Sequence, residues 1–183
     1  KLVLIARGLP IHYTALESGY RSSLAQDGGG RTRVPRRVLL IGWTDMIYDF
    51  LLELDAHSLQ GSEISILCGR SPEDALRRIE EHQKAPFANL AVAFIQGDAA
   101  DAEVYAGMDL CSYQSLVVLA DDWGDDKGDV DTRSLRILLR LSDLRKYHQA
   151  RAHTVVELVD EANRDLIAGL GVDDTVISPN VVS

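Results

Sequence analysis

Val38-Leu39-Leu40-Ile41-Gly42-Trp43-Thr44-Asp45 is the stretch that decides the fold. Its four leading residues are apolar without alternation. A run of that length, closed by a glycine, describes a strand buried on both faces, and such strands occur in parallel sheets covered by helices. Behind the glycine, Ile47, Phe50, Leu51 and Leu54 recur at helical spacing, with Thr44 or Asp45 placed as N-cap. The unit reads as strand, turn, helix.

The same alternation continues to the end of the chain. Ile64 to Cys68 forms a second apolar run, and Pro72 behind it suits the first turn of a helix, where its missing N–H leaves nothing unsatisfied. Leu90 to Ile95 gives a third strand, followed by Gly97-Asp98 and a short helix near Ala100 to Ala106. Leu116 to Ala120 is a fourth. A long helix is expected from about Asp129 to Tyr147, burying Val130, Leu135, Leu138, Leu139 and Leu141. Val155 to Leu158 is a fifth strand, a helix follows near Glu161 to Ala168, and Thr175 to Ile177 supplies a short sixth strand. Repeated strand–helix units predict an α/β fold: a Rossmann-like, doubly wound, mostly parallel sheet over residues 38–183.

Upstream the pattern changes. Leu2 to Arg7 and Ile11 to Tyr13 are β-prone and separated by Gly8-Leu9-Pro10, which predicts a β-hairpin within residues 1–21. Residues 22–37 lose apolar periodicity and run through Gly28-Gly29-Gly30 into arginines, as a flexible basic linker would. Up to residue 37 the chain carries seven basic against two acidic side chains, and beyond it twelve against 26. The net charge of -9 argues against a nucleic-acid partner, which needs clustered Lys and Arg to neutralise phosphates. No apolar run approaches the roughly 20 residues of a membrane-spanning helix. The chain opens on Lys1 with no signal-peptide pattern, as a segment of something longer would. Cys68 and Cys111 form no CxxC pair and are expected as buried core thiols.

In doubly wound sheets ligands bind beyond the carboxyl ends of the strands, so the residues just after each strand are the candidates. Gly42, Trp43, Thr44 and Asp45 follow the first strand. Measured against G-x-G-x-x-G, only Gly42 is kept, with Thr44 and Ile47 at the second and third glycine positions, so an NAD site is not expected. Cys68, Gly69 and Arg70 follow the second strand, where a dinucleotide site would place an acidic residue. Arg70 reads as a surface arginine or a phosphate contact. Gly97 and Asp98 follow the third strand, and Asp121 and Asp122 the fourth.

Residues 121–131 hold six carboxylates. Two readings stay open: a hydrated acidic loop, or a site for Ca²⁺ or another divalent cation built from Asp121, Asp122, Asp125 and Asp126. Asp129 or Asp131 could instead cap the long helix. Arg133, Arg136 and Arg140 recur on that helix and read as a solvated or oligomer-facing stripe. Catalytic patterns are missing: no HExxH, no G-x-S-x-G, no P-loop, and no tyrosine with a lysine four residues on.

Several stretches together resemble one family. Phe94-Ile95-Gln96-Gly97-Asp98-Ala99-Ala100-Asp101, then Met108-Asp109-Leu110 and Tyr113 to Ala120, resemble the third-to-fourth strand segment of RCK (KTN) domains. Leu40 to Trp43, Leu52 to Asp55 with Gly61-Ser62-Glu63, Leu119 to Asp122, Asp131 to Leu135, and Val156-Glu157-Leu158 through Asn163-Arg164 are similar to the Castor/Pollux type of ion-channel protein. In that type Gly-Trp stands in place of the nucleotide loop. Residues 38–183 resemble its second RCK unit.

The resemblance implies that residues 1–21 end the small C-terminal lobe of a preceding RCK unit and that residues 22–37 link the two. It implies a non-enzymatic regulatory domain of a potassium or cation channel, at the cytoplasmic face of the cell membrane. Its partners would be other RCK units in a homo-oligomeric gating ring, and an upstream transmembrane pore. An NAD(P)-dependent oxidoreductase domain and a purely structural assembly module are the alternatives.

Overall fold

The structure, a computed structural model, describes residues 34–83, 85–121, 130–148 and 151–178. The hairpin expected within residues 1–21, most of the linker, and the acidic side chains of Asp122, Asp125 and Asp126 lie outside the described residues.

Six strands form one all-parallel sheet: β1 Arg37–Ile41, β2 Ser62–Cys68, β3 Leu90–Gln96, β4 Ser115–Val118, β5 His153–Leu158 and β6 Asp174–Ile177. Their order is β3-β2-β1-β4-β5-β6. Such an order follows when successive right-handed crossovers first build outward from β1 on one side and then restart on the other. Helices α1 (Ile47–His57) and α2 (Pro72–His82) cover one face, and α3 (Val130–His148) covers the other.

Because strand side chains alternate, the apolar run of β1 splits between two cores. Leu39 and Ile41 pack with Leu116, Val118, Ile137, Leu138 and Leu141 on the α3 side. Val38 and Leu40 pack with Ile47, Leu51, Ile64, Ile66 and Ile79 on the side of α1 and α2. Each such fully buried side chain stabilises by about 1.5–3 kcal/mol relative to exposure.

Local details depart from expectation. Helix α1 starts at Ile47 with Met46 at its N-cap position and no side-chain cap, since the chain first closes a turn from Ile47 N–H to Thr44 O at 3.1 Å. Neither Thr44 nor Asp45 caps it. In α2 the expected start is present: Pro72 is the first helical residue, and Ser71 Oγ accepts from Asp74 N–H at 3.2 Å. The helices expected near residues 100–106 and 161–168 are 3-10 segments, Glu103–Tyr105 and Glu161–Ile167, opened by short Asp turns. Leu139, expected in the core, is 53% exposed, and Ile137 takes the inward position. Cys68 is buried as expected, but Cys111 is exposed on a 3-10 turn, Leu110–Ser112, whose inward side chain is Leu110.

Two carboxylates tie loops to helices. Asp55, in the last turn of α1, accepts backbone N–H groups of Ala88 (3.0 Å), Asn89 (2.7 Å) and Leu90 (2.9 Å), fixing the entry to β3. Asp131, fully buried in the first turn of α3, accepts from Val159 N–H (2.7 Å), Asp160 N–H (2.9 Å) and Asn163 Nδ2 (2.7 Å) beyond β5. These hydrogen bonds connect elements distant in sequence.

Burial acts to raise the Asp55 pKa, but its three N–H donors outweigh that and hold it below the ordinary 3.8. A depressed folded pKa means its contribution is present above the unfolded value and is lost as pH falls through the folded one. Asp55→Asn is therefore expected to lower stability by about 1–3 kcal/mol near neutral pH. The gap to the parent chain should narrow below about pH 4, as urea unfolding at a series of pH values will show.

Candidate functional site

In the order 3-2-1-4-5-6, β1 and β4 are neighbours whose connections leave toward opposite faces, so a crevice opens beyond their carboxyl ends. A cleft of about 280 Å³ occupies that place. Gly42, Cys68-Gly69 and Gly97-Asp98 line it at the ends of β1, β2 and β3. Asp121, beyond β4, forms one side, and Arg133, Arg136 and Ile137 of α3 form the wall.

Two of the glycines are dictated by geometry. Gly42 has φ +101, and a Cβ there would sit 3.0 Å from Asp121 Cβ and 3.2 Å from Leu119 O. Its N–H donates to Leu67 O at 2.9 Å, which holds the turn against β2. At Gly97 a Cβ would overlap Val104. The Gly-Asp pair thus lets Val104 close down on the end of β3. Asp98 then accepts from Ala100 N–H at 2.9 Å, which shapes the turn.

Of the residues singled out from sequence, Gly42, Cys68, Gly69, Gly97, Asp98 and Asp121 line the cleft. Trp43, Thr44, Asp45 and Arg70 do not. Trp43 is buried in the core beside α1 and α2. Arg70 is no surface arginine: it is 6% exposed, its guanidinium lies 5.0 Å from the Trp43 ring centroid, and Nη1 donates to Asp74 Oδ2 at 2.9 Å. A guanidinium packs on an aromatic face while its fork meets a carboxylate. Hydrogen bonds from Arg77, then Arg70, and more weakly Arg78, hold the Asp74 carboxyl at about 2.

Of the α3 arginines, Arg136 is exposed as a solvated stripe would be, Arg133 and Arg140 are half-buried, Arg133 and Arg136 border the cleft, and Arg140 Nε donates to Ala100 O at 3.4 Å. Their i, i+3, i+7 spacing was visible in the sequence, but which neighbour that face meets depends on the crossover after β4. Burial pushes the Cys68 thiol up, so little thiolate forms at neutral pH. The cleft lining among the described residues includes no histidine, lysine or serine. Asp121 is buried, Asp131 is committed to the loop beyond β5, and among the described residues no group of three or more His, Cys, Asp or Glu is placed to hold a metal ion.

The sheet order and the cleft at its switch point define a Rossmann-like α/β domain of the type found in RCK and TrkA-N proteins. No family model matches the sequence. The chain is 28% identical over 148 residues to the ion channel CASTOR of Lotus japonicus, covering 79% of this chain and 17% of that protein. It is 22% identical over 182 residues to the ion channel DMI1 of Medicago truncatula, covering 82% and 21%. Its homologues are thus Castor/DMI1 ion channels, and it spans about a fifth of their length.

Among solved structures, the GsuK channel bound to NAD matches with TM-score 0.52 and 15% identity over 78% of this chain and 21% of that one. The TrkA-N domain of the inner membrane protein ybaL from Escherichia coli matches with TM-score 0.54 and 13% identity over 79% and 89%. These likenesses show the fold.

The GsuK comparison corrects one expectation: a protein containing this fold is bound to NAD, so the fold gives no ground for setting NAD aside. The residues present fit a dinucleotide only in part. Gly42 keeps the tight turn after β1, but Thr44 stands where the second glycine lets the backbone approach a pyrophosphate, the buried Ile47 stands at the third position, and Arg70 packs over the buried Trp43 beside this turn.

Gly42→Ala forces a left-handed backbone on a residue with a side chain and presses its Cβ into Asp121. A loss of about 1–3 kcal/mol is expected, read as a lower urea midpoint with unchanged m-value.

Proposed function

We propose that this chain is a regulatory RCK-type domain of a cation channel or transport protein, and that it acts by ligand-dependent rearrangement within an assembly rather than by catalysis. The observation that carries the reading is homology to Castor/DMI1 ion channels over most of the chain, on a fold whose switch-point cleft is lined by backbone and charged groups. A regulatory domain needs a ligand that binds two assembly states with different affinity, since equal affinity shifts nothing. A cleft walled by one helix and floored by strand ends provides for that: a ligand there contacts α3 and the sheet together, so it responds to their separation.

Several finer assignments belong to the same proposal. Residues 1–21 would end a preceding RCK lobe and residues 22–37 link it to this domain. Copies of the unit would pair in a ring at the cytoplasmic face of a membrane, with the pore formed elsewhere in the parent protein. Among the described residues no helix is long and apolar enough to cross a membrane. NAD and divalent cations are both ligands to titrate, and NAD has the support of the GsuK channel.

Two measurements test the reading. Determining the coding sequence beyond both ends of the chain is expected to show membrane-spanning helices, and the complete protein reconstituted in liposomes is expected to pass cations. A complete protein with no membrane span, or one that turns over a dinucleotide substrate, overturns it.

A further inference from the structure

We infer that β3 is the contact edge between two copies of this chain: the strand pairs antiparallel with β3 of a second copy across a two-fold axis, and the two α2 helices close over the junction. The inference rests on the regulatory reading above only for the expectation that copies meet, and it names the surface at which they do. At one edge of the sheet, β6 is four residues long and begins at Asp174, which with Asp173 meets His153. A short, charged strand is one way native sheets keep an edge from pairing. At the other edge, β3 runs Leu90-Ala91-Val92-Ala93-Phe94-Ile95-Gln96 with no charge and no proline, and among the described residues it has a hydrogen-bonded neighbour on one side only. An unguarded edge of this length is a template for another strand. None of its seven residues is buried, and even the core-directed Val92 and Phe94 are only half-buried.

The symmetry of the strand and the position of α2 select a second copy as the occupant. Gly97 N–H donates to Cys68 O of β2, so by alternation along the strand the backbone groups of Leu90, Val92, Phe94 and Gln96 point to the free edge. An antiparallel pair centred on Ala93 sets Val92 against the second copy's Phe94, and Leu90 against its Gln96, as hydrogen-bonded pairs. Ala93 then lies opposite its own counterpart as a non-hydrogen-bonded pair, where Cα atoms approach to about 4.5 Å and small side chains fit. Ala91 meets Ile95 on that same face, and nowhere do like charges oppose each other. Helix α2 supplies the second layer. Its Asp74 bonds to Arg70 and Arg78, and its His82 ring lies 6.2 Å from Tyr48 of α1, so this row faces α1. Ala75 and Ile79 are buried in one core with Ile64 and Ile66 of β2. By helical rotation, the flank that faces away from α1, over the free edge, carries Leu76 with Glu80 and Gln83. Leu76 is 47% exposed. Helices seated over β2 and β3 in both copies are two strand spacings apart, roughly 9.6 Å, inside the range of about 8–10 Å at which helices pack. Each Leu76 therefore enters the seam between them, whereas a lone peptide strand would leave it uncovered.

Sedimentation velocity of the full 183-residue chain over a concentration series is expected to show a monomer–dimer equilibrium. Ala93 is exposed in the single copy, so Ala93→Lys leaves the fold intact but sets like charges directly opposite each other; it should raise the dimer Kd about tenfold or more, as should Ala93→Glu. Mixing the two variants should restore association, which misfolded variants cannot do. Leu76→Ser should weaken the dimer, and Thr175→Lys on the β6 edge should leave it unchanged. A chain that stays monomeric at every concentration overturns the inference, whether β3 is then covered by residues 1–33 or by a strand of another protein. A dimer that ignores the charge at position 93, or one lost in both variants and not recovered on mixing, overturns it too. If the complete protein still passes cations in any of these cases, the edge assignment alone has failed; a complete protein without membrane spans sinks the regulatory reading whether or not β3 pairs.

Discussion

The parting of β1 and β4 is the constraint on which the rest of this structure depends. These strands are hydrogen-bonded neighbours, yet the chain leaves β1 toward one face and β4 toward the other, because every crossover in a parallel sheet must turn the same way. Two layers of helix therefore cannot meet at the carboxyl ends of the strands. The gap there is a consequence of connectivity before any side chain fills it, and the choice of residues decides only what it accepts.

In this chain the choice is asymmetric. On the side of α1 and α2 the gap is closed by an aromatic ring and a stacked guanidinium, themselves anchored to a carboxylate that gathers three arginines. On the α3 side it stays open. Buried carboxylates hold the frame around it: Asp55 fixes the entry to β3 and Asp131 fixes the loop beyond β5 to the first turn of α3. Glu157 Oε2 adds a third tie, accepting from Ala120 N–H at 3.0 Å beside the cleft. Asp55 and Asp131 each place a carboxylate where three N–H donors converge, which fixes loop geometry more tightly than apolar contact does.

Strand positions and the α/β class were legible because fully buried parallel strands are continuous apolar runs, and Val38 to Ile41 could be little else. The start of α2 was legible because Ser71 and Pro72 are local signals. Cleft residues at strand ends were legible too, since the fold rule places ligands there without knowledge of side chains. Arg70, Trp43, Arg133 and Arg136 were not, because their roles depend on contacts between elements separated by a crossover. Asp131 shows the same limit: one carboxylate among six in eleven residues, it is distinguished only by the loop folded onto it from beyond β5. Cys111 and Leu139 failed for a simpler reason. A 3-10 turn and a helix each leave one apolar side chain facing outward, and composition does not say which.

The position of Asp131 two residues before Arg133 joins these observations. The first turn of α3 carries both the buried tie to residues 159–163 and the start of the cationic wall, so the wall cannot move along its axis without disturbing the hydrogen bonds beyond β5. At the other end of the stripe Arg140 ties the same helix to the turn after β3. A ligand that draws α3 toward the strand ends would thus load two loops on opposite halves of the sheet at once. Packed interfaces respond to such a load by shifting between discrete arrangements rather than by bending continuously.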